Sequence, residues 1–206
     1  MFKKITTILL YTAAICLLSS CQMRTPKQQA WVNPAFKDHT LGKTMVLGMG
    51  NSQALSRQYE AYFVNSLLPY IDAGSLRVSM VIKDKIDKEE LELFLEQKQV
   101  KTIIVTRVLE GTSRDQIVSI GYDISPYNNG YWGYYNHGYT LQANTATVTS
   151  YMEYVLETNI YDVESEALIW SGRKSIFDDR SDLANMEIII KAVVKDLHHQ
   201  NMLNQD

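Results

Sequence analysis

An uncharged run from Ile5 to Leu18 sits between Lys3-Lys4 and the triplet Ser19-Ser20-Cys21, and it decides which part of this chain can contribute to a fold. A helix needs about 20 apolar residues to cross a bilayer core, and this run is shorter. A basic start, a short apolar stretch and small residues describe an export leader that is removed. Cys16 lies inside the leader and leaves with it. The remaining chain then keeps one cysteine, Cys21, and no internal disulfide can form. The domain must be held by its own core in an oxidising compartment, and its length suffices for one.

Leu18-Ser19-Ser20-Cys21 resembles the bacterial lipobox. That resemblance implies cleavage before Cys21, a diacylglycerol on its sulfur and a third acyl chain on the new amino terminus. Several chains make such an attachment stable where one alone is marginal, at about 0.8 kcal/mol per buried CH₂. Gln22 follows the cysteine. In lipoproteins of this type an Asp there marks inner-membrane retention, so Gln22 implies outer-membrane sorting, with the body facing the periplasm.

Composition excludes other classes. Apolar residues make up 46% and charged residues 21%, ordinary values for a globular protein. Lys plus Arg total 20 against 23 Asp plus Glu, whereas a nucleic-acid binder wants a basic face. An acidic body also gives no attraction to anionic lipid.

Gln22 to Thr40 is polar, carries Pro26 and Pro34, and reads as a flexible tether. Its root-mean-square reach would be roughly 25 Å and its contour limit about 60 Å. Thr44 to Gly48 predicts a short buried strand, with Asn51 or Ser52 capping a helix. On that helix Leu55, Tyr59, Tyr62, Phe63, Ser66, Leu67 and Tyr70 recur at helical spacing, with Arg57, Gln58 and Glu60 mostly off the face. Leu76 to Ile82 predicts a second strand. Asp87 and Glu90 form a capping box, flanked by the staple pair Ile86 and Leu91. Thr102 to Leu109 is rich in β-branched residues and predicts a central strand. Tyr151 to Asp162 alternates, with Met152, Tyr154, Leu156 and Ile160 on one face and Glu153 and Glu157 on a wet one. A turn at 163–167 leads into its partner, Leu168 to Ile176. Ser181 or Asp182 caps a last helix whose stripe is Leu183, Met186, Ile189, Ile190, Val193, Val194 and Leu197.

The expected order is β-α-β-α-β-β-β-α. It predicts an α/β (α+β) fold with a mixed sheet of about five strands and helices on one face. The chain divides into a leader at 1–20, the lipidated cysteine and tether at 21–40, one domain at 41–200 and a polar tail at 201–206.

Residues 127–139 read YNNGYWGYYNHGY and stand apart. Their flanks, 116–124 and 140–151, are β-prone and could pair as a long hairpin tipped by the aromatics. Three readings fit. Tyr127, Tyr131, Trp132, Tyr134, Tyr135 and Tyr139 could form a protein- or glycan-binding loop, because Tyr and Trp offer flat amphipathic faces at low entropy cost. The rings could rest at a lipid interface. They could also pack on their own sheet.

No catalytic constellation is legible. Gly48-Met-Gly50 lacks the third glycine of a dinucleotide fingerprint, with Gln53 at its place. His198 and His199 are adjacent and cannot form an i, i+4 metal pair. No HExxH, CxxC or GxSxG occurs. The chain is therefore expected not to be an enzyme and to need no cofactor or metal, with an unrecognised hydrolase as the remote alternative.

The lipobox, the β-α-β-α start, the Tyr/Gly-rich loop and the hairpin TNIYDVESEALIWSG together resemble a family of small Gram-negative lipoproteins classed as a domain of unknown function. In that family a strand ending in Tyr-Asp, here Tyr161-Asp162, precedes a Trp-Ser/Thr-Gly strand, here Trp170-Ser171-Gly172. More distantly the topology is similar to the amino-terminal domain of TolB and to the lipoproteins LpoB and CsgG. The resemblance implies an outer-membrane-anchored periplasmic module that binds or scaffolds envelope components. Its partners would be the membrane, through the acyl chains, and an envelope protein or peptidoglycan. No nucleic acid is expected.

Overall fold

In the computed structural model, the residues described are 30–50, 52–80, 82, 85–113, 117–119, 130–135, 152–177 and 181–204. Cys21, Tyr127 and Tyr139 lie outside them, as do most of the flanks expected to pair as a long hairpin.

The chain forms β1 (Ala30–Val32), β2 (Thr44–Met49), α1 (Gln53–Leu67), β3 (Ala73–Ser75), α2 (Leu76–Ser79), α3 (Lys88–Gln97), β4 (Thr102–Ser113), β5 (Ile117–Ser119), β6 (Met152–Asp162), β7 (Leu168–Phe177) and α4 (Asp182–His199). The fold is mixed α/β. Seven strands make one sheet in the order β1-β7-β6-β4-β2-β3, with β5 also pairing with β4. β2 runs parallel to β3 and β4. The pairs β4–β6, β6–β7 and β1–β7 are antiparallel.

Local signals place most of these elements. The Ser52 hydroxyl accepts from Leu55 N and caps α1. Asp87 accepts from Glu89 N and Glu90 N and caps α3, with Ile86 and Leu91 both buried in the staple positions. Ser181 caps α4, whose Met186, Ile189, Ile190, Val193 and Leu197 are buried. Leu183, expected on that stripe, is exposed.

Helices were expected on one face and cover both. Every residue of β2 is buried, as are Thr102 to Arg107 of β4. Central strands with apolar groups on both sides need cover on both sides. Val46, Ile104, Ile160 and Trp170 meet α1 and α4 in one core. Met45, Leu47, Ile103, Val105, Tyr161 and Leu168 meet Leu76, Leu91, Leu95 and the aromatic segment in a second.

Other differences have local causes. The expected strand at 76–82 begins earlier, as β3, and turns helical because the Ser75 hydroxyl accepts from Val78 N and caps α2. The expected tether is part of the fold from Ala30 onward. β1 pairs with Gly172, Ser171 and Trp170, and Asn33 clamps it through N to Ile169 O (2.8 Å) and Nδ2 to Leu168 O (2.9 Å). The expected polar tail also packs: Met202 and Leu203 are buried, and Met202 O accepts from Leu41 N.

Glu60 was expected off the buried face of α1, yet it is fully buried. Its carboxylate accepts from Gly48 N (3.0 Å), Arg77 N (3.2 Å) and the Ser75 hydroxyl, and Arg77 Nε lies 3.4 Å away. Burial pushes its pKa up, against the lowering effect of those donors. This side chain ties the end of β2 to the β3–α2 junction.

Candidate functional site

β4, β6 and β7 bring three charges into register on the second face. Arg107 stands opposite Glu157, and Glu157 opposite Arg173. Arg173 Nε donates to Glu157 Oε1 at 2.7 Å, and Arg107 Nη2 lies 3.8 Å from Oε2. Glu157, expected on a wet face, is 1% exposed, and Arg107 is 3% exposed. The sheet buries these charges because each finds an opposite one on the next strand. Asn159 Nδ2 also donates to Glu157 Oε2, at 3.3 Å.

The aromatic segment caps this triad. Residues 130–135 form a helical turn. Tyr134 OH donates to Glu157 Oε2 at 2.6 Å, and the Arg107 guanidinium lies 4.1 Å from the Tyr134 ring centroid. Tyr135 OH accepts from Ile86 N at 2.9 Å. Trp132 and Tyr135 stack with centroids 5.5 Å apart. Tyr131, Tyr134 and Tyr135 are buried in the second core and Trp132 is half-buried against it. Four of the six aromatic residues singled out in the sequence thus come together as packing on the sheet. Gly130, at φ +56°, lets the backbone pass Glu166, whose Oε2 would be 2.3 Å from a Cβ there.

Buried phenols give this core a pH signature. Burial pushes Tyr59 up to about 12, and lifts Tyr161 and Tyr134 well above the ordinary range. Glu157 raises the last two further. The folded state favours the neutral phenols. Their contribution to stability is therefore complete below the unfolded value of about 10 and is lost as pH rises through the folded values. In an ultraviolet titration these three tyrosines are expected to ionise only together with unfolding. Tyr59→Phe should make the alkaline loss of stability less steep. Ionisation of all three near their ordinary values with the fold intact would contradict this.

Two recesses open beside the sheet. The first, about 210 Å³, lies at the carboxyl end of β2 and beside the middle of β4. Met49, Leu55, Met186, Ile189 and Asn185 are among its lining. The glycine-rich turn beside it is not a phosphate cradle. Gly48 N is taken by Glu60, and Gly50 N by Ser56 Oγ at 3.0 Å. The second recess, about 680 Å³, lies between α3 and the β6–β7 turn, with Tyr131 in its lining. Among the described residues no histidine lines either recess. His39 packs edge-on to Phe36 and His198 to Tyr70.

The sequence reading missed the triad and Glu60. A signal for the triad was present: Arg107 and Glu157 each interrupt a strand otherwise suited to the core, and their signs are opposite.

These features define a three-layer α/β/α protein with a mixed sheet, a charge triad whose Arg107 and Glu157 are buried, and two open recesses. No family model matches the chain, and no curated protein matches it. Among solved structures it is similar to the PelC dodecamer from Paraburkholderia phytofirmans, at 11% identity over 87% of this chain and 98% of that one, with a TM-score of 0.42. It is also similar to the lipoprotein GNA1162 from Neisseria meningitidis, at 13% identity over 77% of this chain and 99% of that one, with a TM-score of 0.41.

Proposed function

We propose that this chain is a lipid-anchored, non-catalytic binding or scaffolding module of the cell envelope, held by acyl chains on Cys21 at the periplasmic face of the outer membrane. The observation that carries the reading is Leu18-Ser19-Ser20-Cys21 directly behind a basic and apolar leader. The fold adds a geometric consequence. Because β1 begins at Ala30, a fully extended chain from Cys21 reaches at most about 30 Å. The body would stand close to its bilayer, half as far as a tether to Thr40 would allow. Among the described residues no helix is long and apolar enough to cross a membrane.

Its partner would be an envelope protein or peptidoglycan, met by a surface beside the aromatic segment. Cys21→Ala is expected to move the protein almost completely from the detergent phase to the aqueous phase and to abolish metabolic palmitate labelling. Equal partitioning of the parent and the variant, with neither labelled, would remove the anchor and the role inferred from it.

A further inference from the structure

The smaller recess leaves an aliphatic wall open at the edge of the first core. Leu55 of α1, Leu156 of β6, Ile176 of β7, and Met186 and Ile189 of α4 line it. Leu55, Leu156 and Ile176 are half-buried against that core. Leu183, three residues before Met186 on the same face of α4, is exposed and prolongs the apolar surface toward the start of the helix.

Polar side chains in the wall are spent on the protein itself. Tyr59 OH donates to Thr106 Oγ1 at 2.9 Å, and that oxygen also pairs with Thr158 Oγ1 at 2.9 Å. Ser56 Oγ accepts from Gly50 N. Arg107, the one basic residue among the described lining, is already paired with Glu157. A free carboxylate would be desolvated here without a counter-charge of its own. The wall therefore suits an alkyl chain that carries no charge, as an ester- or amide-linked acyl group does. At about 210 Å³ the space exceeds an apolar cavity of about 150 Å³ that admits benzene, and it can take the distal part of one chain.

The register of β1 is an independent observation about what can reach this wall. Ala30 lies opposite Gly172 and Val32 opposite Trp170, antiparallel. The chain therefore enters β1 from the side of Arg173 to Phe177, the end of β7 that holds Ile176. From Gly172 to Ile176 is about 13 Å along the strand, and from β7 across to β4 about 10 Å more. Residues 21–29 span at most about 30 Å. A group fixed to Cys21 is thus tethered within reach of the recess, and a short tether raises its effective concentration there.

We propose that this recess takes the distal part of one acyl chain carried by Cys21 of the same molecule, while the remaining chains stay in the bilayer. The proposal rests on the lipid-anchor reading and extends it. Two chains suffice for a stable attachment, so the third is free to leave the leaflet. Seating it would turn the recess, with the starts of α1 and α4, toward the membrane and fix how the body stands on it.

The test is photocrosslinking of the full acylated protein. Cells are fed palmitate with a diazirine at its far end, and the protein is reconstituted at high dilution in phosphatidylethanolamine–phosphatidylglycerol vesicles. After irradiation, mass spectrometry is expected to find roughly tenfold more crosslinks in peptides holding Leu55, Ile176 and Met186 than in the α3 peptide on the opposite face. Ile176→Trp, which fills the mouth, should lower that yield severalfold and leave the label on Cys21 unchanged. The parent's map decides even if this variant folds poorly. Crosslinks confined to lipid, or as frequent on α3, would overturn the proposal. So would equal crosslinking of isotopically heavy, diazirine-free protein in the same vesicles, which would make a neighbour's chain the occupant. The same map from a diazirine-bearing phospholipid would assign the recess to bilayer lipid and overturn it too. Label on Cys21 without crosslinks at the recess removes this proposal alone, whereas absence of label on Cys21 removes the anchor and the proposal with it.

Discussion

Replacing Glu157 by leucine is expected to cost the fold about 3–5 kcal/mol, because it leaves the Arg107 guanidinium buried without its counter-charge. Arg107 is almost fully enclosed, and its Nε already lacks a hydrogen-bond partner. The same substitution removes the acceptor for Tyr134 OH and one partner of the outer Arg173. In urea denaturation the midpoint should fall sharply with an unchanged slope. The control is the triple replacement Arg107→Met, Glu157→Leu, Arg173→Met. Apolar groups of similar volume need no counter-charge, so this variant should recover most or all of the loss. A Glu157→Leu protein within about 1 kcal/mol of the parent would show that the triad is not a stabilising element. The consequence reaches beyond stability. Tyr134 is the point where the aromatic segment is fastened to the sheet, so the variant should also expose Tyr131 and Tyr135 to solvent-borne quenchers.

The second large effect is expected at Trp170. Its ring is fully buried between the sheet and α4, and its indole N donates to Asp196 Oδ2 at 2.7 Å. Trp170→Ala should cost about 3–5 kcal/mol through the cavity it leaves, and should remove the most blue-shifted component of the tryptophan emission. Gly172 explains the spacing of the Trp-Ser-Gly motif. A Cβ at Gly172 would lie 2.3 Å from Trp170 Cη2, so the ring lies across the glycine two positions on, along the same face of β7. Gly172→Ala should therefore cost about 1–3 kcal/mol by displacing the ring. If both variants unfold at the parent's midpoint, the motif has no packing role.

Much of this architecture was legible in the residues. Capping serines and aspartates marked the starts of α1, α3 and α4, because an N-cap is a local hydrogen bond between near neighbours in the chain. The strands β4, β6 and β7 announced themselves by β-branched content and alternation. What escaped was decided by partners far away in sequence. Glu60 and Glu157 read as solvent-facing because periodicity assigns charges to water. Arg77 and Arg107, which keep them inside, are brought near only by the sheet. The division of helices between both faces was implicit in β2 and in Thr102 to Arg107 of β4, where consecutive positions on both faces are enclosed. The aromatic segment was conspicuous by composition. Composition does not encode direction, and the Tyr134 and Tyr135 rings point inward because Glu157 and the Ile86 amide offer their hydroxyls partners there. Beta propensity around 76–82 lost to a single capping hydroxyl at Ser75.

Among the described residues the sheet ends on β1 at one margin and β3 at the other, each three residues long, while β4, β6 and β7 inside it run to ten or more. Short margins are poor templates for a neighbour's backbone. If the proposed anchor crowds copies into two dimensions along one leaflet, that brevity would keep adjacent molecules from zippering into a continuous aggregate.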